Sequence, residues 1–460
     1  MQEGQLTEFD VVVIGAGSGL SVASAAARQG ADVAVIEKGL MGGTCLNRGC
    51  VPSKMLIHRA DIAEQIRQSE QFGIEAEITN VDFASMVEEV NADVEESATQ
   101  IEHGLRQSPN HTLFKDEAQF VDTRTLKVNG NQIIGHKVIV AAGTRPFIPP
   151  IDGIEDVDYI TSTGALQRDT RPNHLVIVGG GYIAAELAHF YGSFGTDITI
   201  IGRADTLLPE EDREIAERFT RGFADKHTVY TSYEAIAAAQ QNGEITVTAE
   251  HADGEVIDIA GDELLIAAGR IPNTDTLAVE NAGIETDPLG FVETNEYLET
   301  TAQNVWALGD IVGEYLYKHS ANLEAQYVVQ NAFGEHDHKH PVDYAAMPHA
   351  VFSSPQVAGV GMTEEELEEE NMEYISGKYS YEDTAMGGAL KETEGIVKVL
   401  VDPSDGAILG CHILGPRASM LIHEVVVAMT QGSGTVVDIA DSTHVHPALN
   451  EVVQRAFRSV

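Results

Sequence analysis

The sequence predicts an α/β protein with two βαβ units, followed by a separate C-terminal α+β domain. Three observations predict it. The apolar run Asp10-Val11-Val12-Val13-Ile14 leads into a glycine-rich turn and a small-residue stretch, and the same order recurs from Leu175. From about Ala345 the texture changes to short strand-like runs. The chain has 460 residues, and at about 150 residues per domain this suggests three domains.

The first run reads as a buried strand. It enters Gly15-Ala16-Gly17-Ser18-Gly19 and then a helix to about Gln29, which Gly30 ends. Asp32-Val33-Ala34-Val35-Ile36 is the next strand, closed by Glu37. In the second unit, Leu175-Val176-Ile177-Val178 enters Gly179-Gly180-Gly181 and a helix to about Phe194. Gly195 stops that helix, and Asp197-Ile198-Thr199-Ile200-Ile201 follows. Glycines placed this way let a backbone approach a pyrophosphate while the helix N-terminus faces its charge. Each unit is therefore read as a Rossmann-like, dinucleotide-binding unit.

The two copies differ in an informative way. In the first, Leu20 stands at the third glycine position, with Gly19 beside it. Glu37 lies about 20 residues after Gly15, where a carboxylate accepts from ribose hydroxyls. That suits an adenosine without a 2′-phosphate, as in FAD or NAD. The second copy reads Gly179-x-Gly181-x-x-Ala184, and its second strand ends in Gly202-Arg203 with no carboxylate there. A guanidinium at this place accommodates a 2′-phosphate, so the copy favours NADPH over NADH. The alternative is that Arg203 is a plain surface cation.

Pro146, Pro149 and Pro150 punctuate a boundary between the units. In the C-terminal part, Gly395–Val401 and Ala407–Leu414 read as strands and Ser419–Met429 as a helix. Glu364–Glu370 reads as a solvated helix face. The run His336-Asp337-His338-Lys339-His340 reads as a polar loop rather than a metal site, and Cys411 as a core residue.

The chemistry concentrates in Gly42-Gly43-Thr44-Cys45-Leu46-Asn47-Arg48-Gly49-Cys50-Val51-Pro52-Ser53-Lys54. A helix starting near Cys45 would let both thiols face one side and close a small disulfide loop; Pro52 is tolerated in a first helical turn. The positive end of a helix favours thiolate at Cys50. The alternatives are a stabilising disulfide or half a metal site. Only Cys411 remains, so four-cysteine metal ligation is excluded. Near the C-terminus, His446 and Glu451 are five residues apart. A carboxylate on an imidazole fixes its tautomer and keeps it basic, which suits the proton traffic of thiol–disulfide exchange.

Taken together, these segments make the whole chain, from about Asp10 to Phe457, resemble the class I pyridine nucleotide-disulfide oxidoreductases, FAD-dependent homodimers. The resemblance implies that residues 1–150 bind FAD and 151–272 bind NAD(P). It further implies that 273–344 complete the FAD domain and that 345–460 form the dimerisation domain. Cys50 would be the flavin-side thiol and Cys45 the one that attacks substrate. His446 with Glu451 would be the base pair, supplied from the second subunit. Lys54 would pair with Glu186 beneath the flavin, and Tyr182 would gate the nicotinamide pocket. Further FAD contacts would come from Gly15, Gly17, Gly19, Glu37, Lys38, Gly43, Thr44, Ala142, Gly143, Thr144, Gly309 and Asp310, the last on the ribityl chain. Gly179, Gly181, Tyr182, Ile183, Ala184, Arg203 and Gly269 would hold NADP.

Within the family the likeness is greatest to mycothione reductases, through Ile183-Ala184-Ala185-Glu186, Leu316-Tyr317-Lys318-His319 and Pro447–Val453. The activity implied is NADPH-dependent reduction of a small-thiol disulfide. A salt-adapted microbe suggests bis-γ-glutamylcystine as that substrate. The alternatives are mycothione or glutathione reductase, NAD-dependent dihydrolipoamide dehydrogenase, and a non-enzymatic flavoprotein redox sensor.

Composition narrows the setting. The hydrophobic fraction is 43%, with no apolar run near the roughly 20 residues that span a bilayer. Residues 1–9 lack the basic start and apolar stretch of a signal peptide, so a cytoplasmic chain is expected. Asp plus Glu number 72 against 28 Lys plus Arg, a net charge of −44, and only 11 of the cations are Lys. Nucleic acid and anionic membrane are poor partners for such a chain. A partner with a basic surface is one reading. The acids run from Glu3 to Glu451 rather than in a tail, which favours the other, a surface adapted to high salt. Self-repulsion on this scale destabilises a fold in dilute buffer, and salt screens it. Activity should therefore rise with KCl to about molar concentration; a maximum in dilute buffer would refute the salt-adapted reading.

Overall fold

The computed structural model describes residues 6–334 and 338–460. The chain forms two compact units. The first takes the described residues of 1–55, 85–147 and 269–343, the second those of 56–84, 148–268 and 344–460.

The first unit is built on a sheet in the order His111–Phe114, Val33–Ile36, Leu6–Ile14, Asn131–Val140, Thr125–Val128, Ala118–Asp122. Val305–Ala307 also pairs with Asn131–Val140, in parallel. Leu6–Ile14 lies parallel to both its neighbours. Successive side chains on a strand point to opposite faces, and here both faces are covered. Val11, Val13, Val33, Val35 and Ile139 pack with Val22, Ala23, Ala26, Ala325 and Val328 from the helices Gly19–Arg28 and Lys318–Phe333. Val12, Ile14, Ala34, Ile36, Val138 and Val140 pack on the other side with Ile284, Val292 and Ile311. That two-sided burial is why the strands read as unbroken apolar runs.

The second unit repeats the plan and adds to it. A parallel sheet runs in the order Thr228–Thr231, Asp197–Gly202, His174–Val178, Glu263–Ile266, Tyr159–Thr161. The antiparallel meander Tyr233–Gln241, Glu244–His251, Val256–Gly261 packs on it through Ile245, Val247 and Ile259. The C-terminal part is an antiparallel sheet, His349–Val351, Val357–Gly361, Ile408–Leu414, Ile396–Val401, Ile375–Ser380, covered by Ala418–Gln431 and Glu451–Phe457. Cys411 is fully buried within that core.

Two readings need correcting. The cysteines do not share one helix: Gly43–Arg48 carries Cys45, the chain bends at Gly49, and Cys50 opens Cys50–Arg67. The acidic run 364–370 is not wholly a solvated face, because Glu364 turns to Lys398. Of His336–His340, residues 336 and 337 lie outside the described residues, and Lys339 pairs with Glu299 at 2.7 Å.

Lys398 lies on a strand with its side chain 1% exposed. Its Nζ donates to both carboxylate oxygens of Asp212, at 2.9 and 2.7 Å, and to Glu364. Asp212 also caps the helix Arg213–Ala224 by accepting from Glu214 N–H at 3.2 Å. Burial alone would push the Asp212 carboxyl up; His412 and the Lys398 ammonium instead hold it below the ordinary aspartate value. A depressed carboxyl stabilises the fold above the ordinary aspartate range, and that contribution is lost as pH falls through the folded value. Lys398→Met should cost about 3 to 5 kcal/mol, because Asp212 is left buried without its ion partner. Denaturant unfolding at high KCl checks this, and the cost should shrink as pH falls, because protonation of Asp212 removes the unpaired buried charge. A cost below about 1 kcal/mol would mean that Asp212 is reached by water.

Candidate active site

Three parallel strand ends of the first unit converge on the expected flavin residues. Ile14 O accepts from Ala141 N–H at 2.8 Å, and Val140 O from Leu308 N–H at 3.0 Å. Gly15, the segment Ala142-Gly143-Thr144 and the pair Gly309-Asp310 are thereby gathered at one edge. Thr144 Oγ1 donates to Asp310 at 3.1 Å, and Arg270 Nε donates to Thr144 Oγ1 at 2.7 Å. Buried Glu324 accepts from Gly309 N–H.

Glycine is demanded at the first turn. Gly15 has φ +99°, and a Cβ there would sit 2.2 Å from Ala141 O. A Cβ on Gly43 would sit 2.8 Å from Gly17 Cα, so the cysteine-bearing helix starts hard against the glycine turn. Gly42 N–H also donates to Ala16 O at 2.8 Å. Thr44 follows in that helix. Glu37 accepts from Ala16 N–H at 2.8 Å and Gly39 N–H at 2.7 Å, which sets its carboxylate at the strand end. Lys38 pairs instead with Glu117 at 3.2 Å.

The helix after this turn, Gly19–Arg28, has no acidic residue in its first turn, and its N-cap Ser18 makes no capping bond. In the second unit, Tyr182–Ser193 likewise starts with no capping side chain and no acid, after Gly181. Some other helices are capped: Asp212 caps Arg213–Ala224, and Thr363 with Glu366 forms a capping box on Glu364–Glu369; Lys318–Phe333 and Ala418–Gln431 are not. Two N-termini left positive and bare suit phosphate binding. Gly181 supports this from another side. Its φ is −85°, and a Cβ would meet nothing within 4 Å, so neither conformation nor packing asks for glycine there. The open space fits a bound pyrophosphate. The residues present therefore fit FAD at the first turn and a nicotinamide nucleotide at the second.

Gly179, with φ +130°, would place a Cβ 2.2 Å from Ala267 O. Tyr182 and Ile183 open the helix half-buried, and Ala184 is buried. Arg203 is exposed directly after the strand Asp197–Gly202, and among the described residues nothing holds its guanidinium. The nearby carboxylate of Asp205 is bound bidentately by Arg213, at 3.1 and 2.9 Å. Gly269 belongs to the first unit, where its carbonyl accepts from Phe147 N–H at 2.9 Å.

Cys45 and Cys50 are free thiols hydrogen-bonded to each other. That bond and burial push the Cys45 thiol well above its ordinary value, against the opposing charges of Lys318 and Lys54. Cys45 thus holds its proton more tightly than a free thiol does. Lys54 lies one turn along the Cys50 helix; Glu186, in the second unit, accepts from Phe352 N–H at 3.0 Å. In the second unit, His446 Nδ1 lies 3.0 and 3.1 Å from the Glu451 carboxylate oxygens, which also accept from Ala448 N–H at 3.2 Å. Nδ1 therefore donates, and Nε2 is left as the basic nitrogen on a ring that is 70% exposed. His446 holds Glu451 ionised below the ordinary glutamate range. His444 differs: its ring is 6% exposed and spans Glu424 at 2.9 Å and Ser442 O at 3.2 Å.

Sequence reasoning missed Glu324, Arg270 and the charge of Lys318 beside the thiols. None sits in a motif with a periodicity of its own. Among the described residues no group of three or more His, Cys, Asp or Glu could hold a metal ion. No described helix is long and apolar enough to cross a membrane.

Comparison with known proteins agrees with this geometry. Residues 9–332 match the pyridine nucleotide-disulphide oxidoreductase family, and residues 347–457 match its dimerisation domain. A mycothione reductase of Mycobacterium tuberculosis is 36% identical over 461 residues, covering 98% of both chains. Dihydrolipoyl dehydrogenase 3 of Haloarcula marismortui is 36% identical over 469 residues, covering 98% of this chain and 96% of its own. Among solved structures, the HOCl-induced flavoprotein disulfide reductase RclA of Escherichia coli superposes with a TM-score of 0.87 at 30% identity, covering 98% of this chain and all of that one. The chain belongs to the pyridine nucleotide-disulphide oxidoreductases, enzymes that work with FAD and a pyridine nucleotide.

Proposed function

We propose that this enzyme is an NADPH-dependent reductase of a low-molecular-weight thiol disulfide, with bis-γ-glutamylcystine as its substrate. The carrying observation is the thiol pair in which Cys45 keeps its proton, alongside a His446–Glu451 pair built to remove one. Arg203, exposed and unengaged at the strand end, supports NADPH. The dimerisation domain supports a homodimer whose second subunit brings His446 to Cys45.

FAD held at the Gly15 turn and Glu37 would supply the transfer of an electron pair from reduced nicotinamide to the Cys45–Cys50 disulfide. The chain's own groups then complete the exchange. His446 Nε2 takes the Cys45 proton, and the Cys45 sulfur attacks one sulfur of the substrate, breaking its S–S bond. The departing thiolate takes that proton from His446. Cys50 thiolate next attacks Cys45, releasing the second thiolate and restoring the protein disulfide. One substrate disulfide is reduced for each protein dithiol oxidised. Lys54 supplies positive charge beside Cys45 while the pair is reduced.

The dihydrolipoyl dehydrogenase relative of Haloarcula marismortui favours a second reading, oxidation of dihydrolipoamide with NAD.

Cys45→Ser should abolish disulfide reduction while flavin absorbance is retained; loss of flavin would contradict the role given to Cys45. His446→Ala should slow turnover about 10²-fold, the scale of general acid–base catalysis. A small effect would move the proton to another group.

Substrate and cofactor are separated by one steady-state experiment at about molar KCl. NADPH and NADH are crossed with bis-γ-glutamylcystine, mycothione disulfide, glutathione disulfide and lipoamide. The expected result is turnover with NADPH and bis-γ-glutamylcystine and little with lipoamide. NADH with lipoamide would make the enzyme a dihydrolipoamide dehydrogenase.

A further inference from the structure

Lys318 opens the sixteen-residue helix Lys318–Phe333, and no side chain caps that helix. Its ammonium is held at two points. Nζ donates to Ser18 Oγ at 2.6 Å and to Asn322 Oδ1 at 2.8 Å, and Ser18 Oγ itself donates to Asn322 at 3.1 Å. Ser18 is 8% exposed and stands in the first glycine turn, against which the Cys45 helix starts. The tether keeps the charge near both thiols: Lys318 interacts with Cys45, Cys50 and Asp310. Burial lowers the Lys318 pKa, and the two sulfurs and Asp310 work against that.

We propose that Lys318 is an electrostatic positioning residue for the redox pair, holding the reduced dithiol with one sulfur ionised. This rests on the reading of Cys45 and Cys50 as a redox couple. The charged groups acting on Cys45 are Lys54 from the Cys50 helix and Lys318, and Asp310 acts on Lys318 in turn. A fixed ammonium there stabilises the thiolate over the thiol, and so the reduced over the oxidised pair. It also sets a limit: with one negative charge already balanced, the second proton must be taken by a base.

The test uses the reduced holoenzyme at high KCl. Alkylation by iodoacetamide is followed against pH, with the modified cysteine located by mass spectrometry. Lys318→Met should raise the midpoint of the profile by about one pH unit. Near neutral pH alkylation should slow only about threefold, because a more basic thiolate is also more nucleophilic. In dithiol redox buffers the Cys45–Cys50 disulfide of the variant should be harder to reduce. Lys318→Arg should restore the profile. Asn322→Asp, which sets a carboxylate against the ammonium, should shift it in the same direction as Lys318→Met and serves if Lys318→Met does not fold. An unmoved midpoint in Lys318→Met, or in Asn322→Asp if that variant must serve, would overturn the proposal. So would loss of flavin with an unmoved midpoint, which would assign Lys318 to the nucleotide alone. If wild-type Cys45 and Cys50 do not re-form a disulfide on oxidation, the redox reading itself fails, and the two failures are told apart.

Discussion

Both dinucleotide units rest on the same close approach of two strand ends. In each, a carbonyl oxygen of the next parallel strand's exit, Ala141 in one and Ala267 in the other, occupies the place of a missing Cβ at 2.2 Å. The glycines concerned, Gly15 and Gly179, adopt φ values of +99° and +130° that other residues rarely reach. The turn can then be tight enough to start a helix directly over the carboxyl ends of the strands. Bare helix N-termini, the Glu37 carboxylate and the Arg203 guanidinium all take their places from that crossing. In the first unit the constraint extends one step further, because Gly17 also sets where the Cys45 helix begins.

Positive charge is placed sparingly. Of the 11 lysines set against 72 acids, two stand where a positive charge has a specific place. Lys398 is buried against Asp212, and Lys318 is tethered beside the thiols. A buried ion pair is weak evidence of stability, since desolvation offsets much of the attraction. Its value here is positional: Asp212 both caps a helix and receives Lys398, so the helix Arg213–Ala224 and the strand Ile396–Val401 are held in one arrangement. The long-range repulsion of the surface acids is screened by salt; these short, shielded contacts are screened far less.

The parts of the fold legible in the sequence are those whose burial leaves a periodic mark. Val11–Ile14 and Leu175–Val178 are covered on both faces, so they read as unbroken apolar runs, and the glycines after them are required sterically. In the meander Tyr233–Gly261 the mark is of the other kind, since buried residues alternate with more exposed ones along Glu244–His251, a period-two pattern that no motif accompanies. The single helix expected across the cysteines fails at Gly49, whose φ of −145° and ψ of −119° no neighbouring residue foretells. Glu364 escapes because a run of glutamates looks solvated unless the buried Lys398 opposite is known. Cys45, Cys50, His446 and Glu451 are legible from local spacing; Glu324, Arg270 and Lys318 act on groups far along the chain.

The break at Gly49 bears on the chemistry of the pair. Were both cysteines on one helix five residues apart, their side chains would point about 140° apart around the axis and lie about 7.5 Å apart along it. With Cys45 on a short helix and Cys50 at the first position of the next, the two thiols meet in a hydrogen bond. The same break gives them unlike surroundings. Cys50 takes the positive end of a long helix, while Cys45 is partly buried and keeps its proton. A base acting at Cys45 would meet a thiol that Cys50 and burial hold protonated, which is the step proposed for His446 with Glu451.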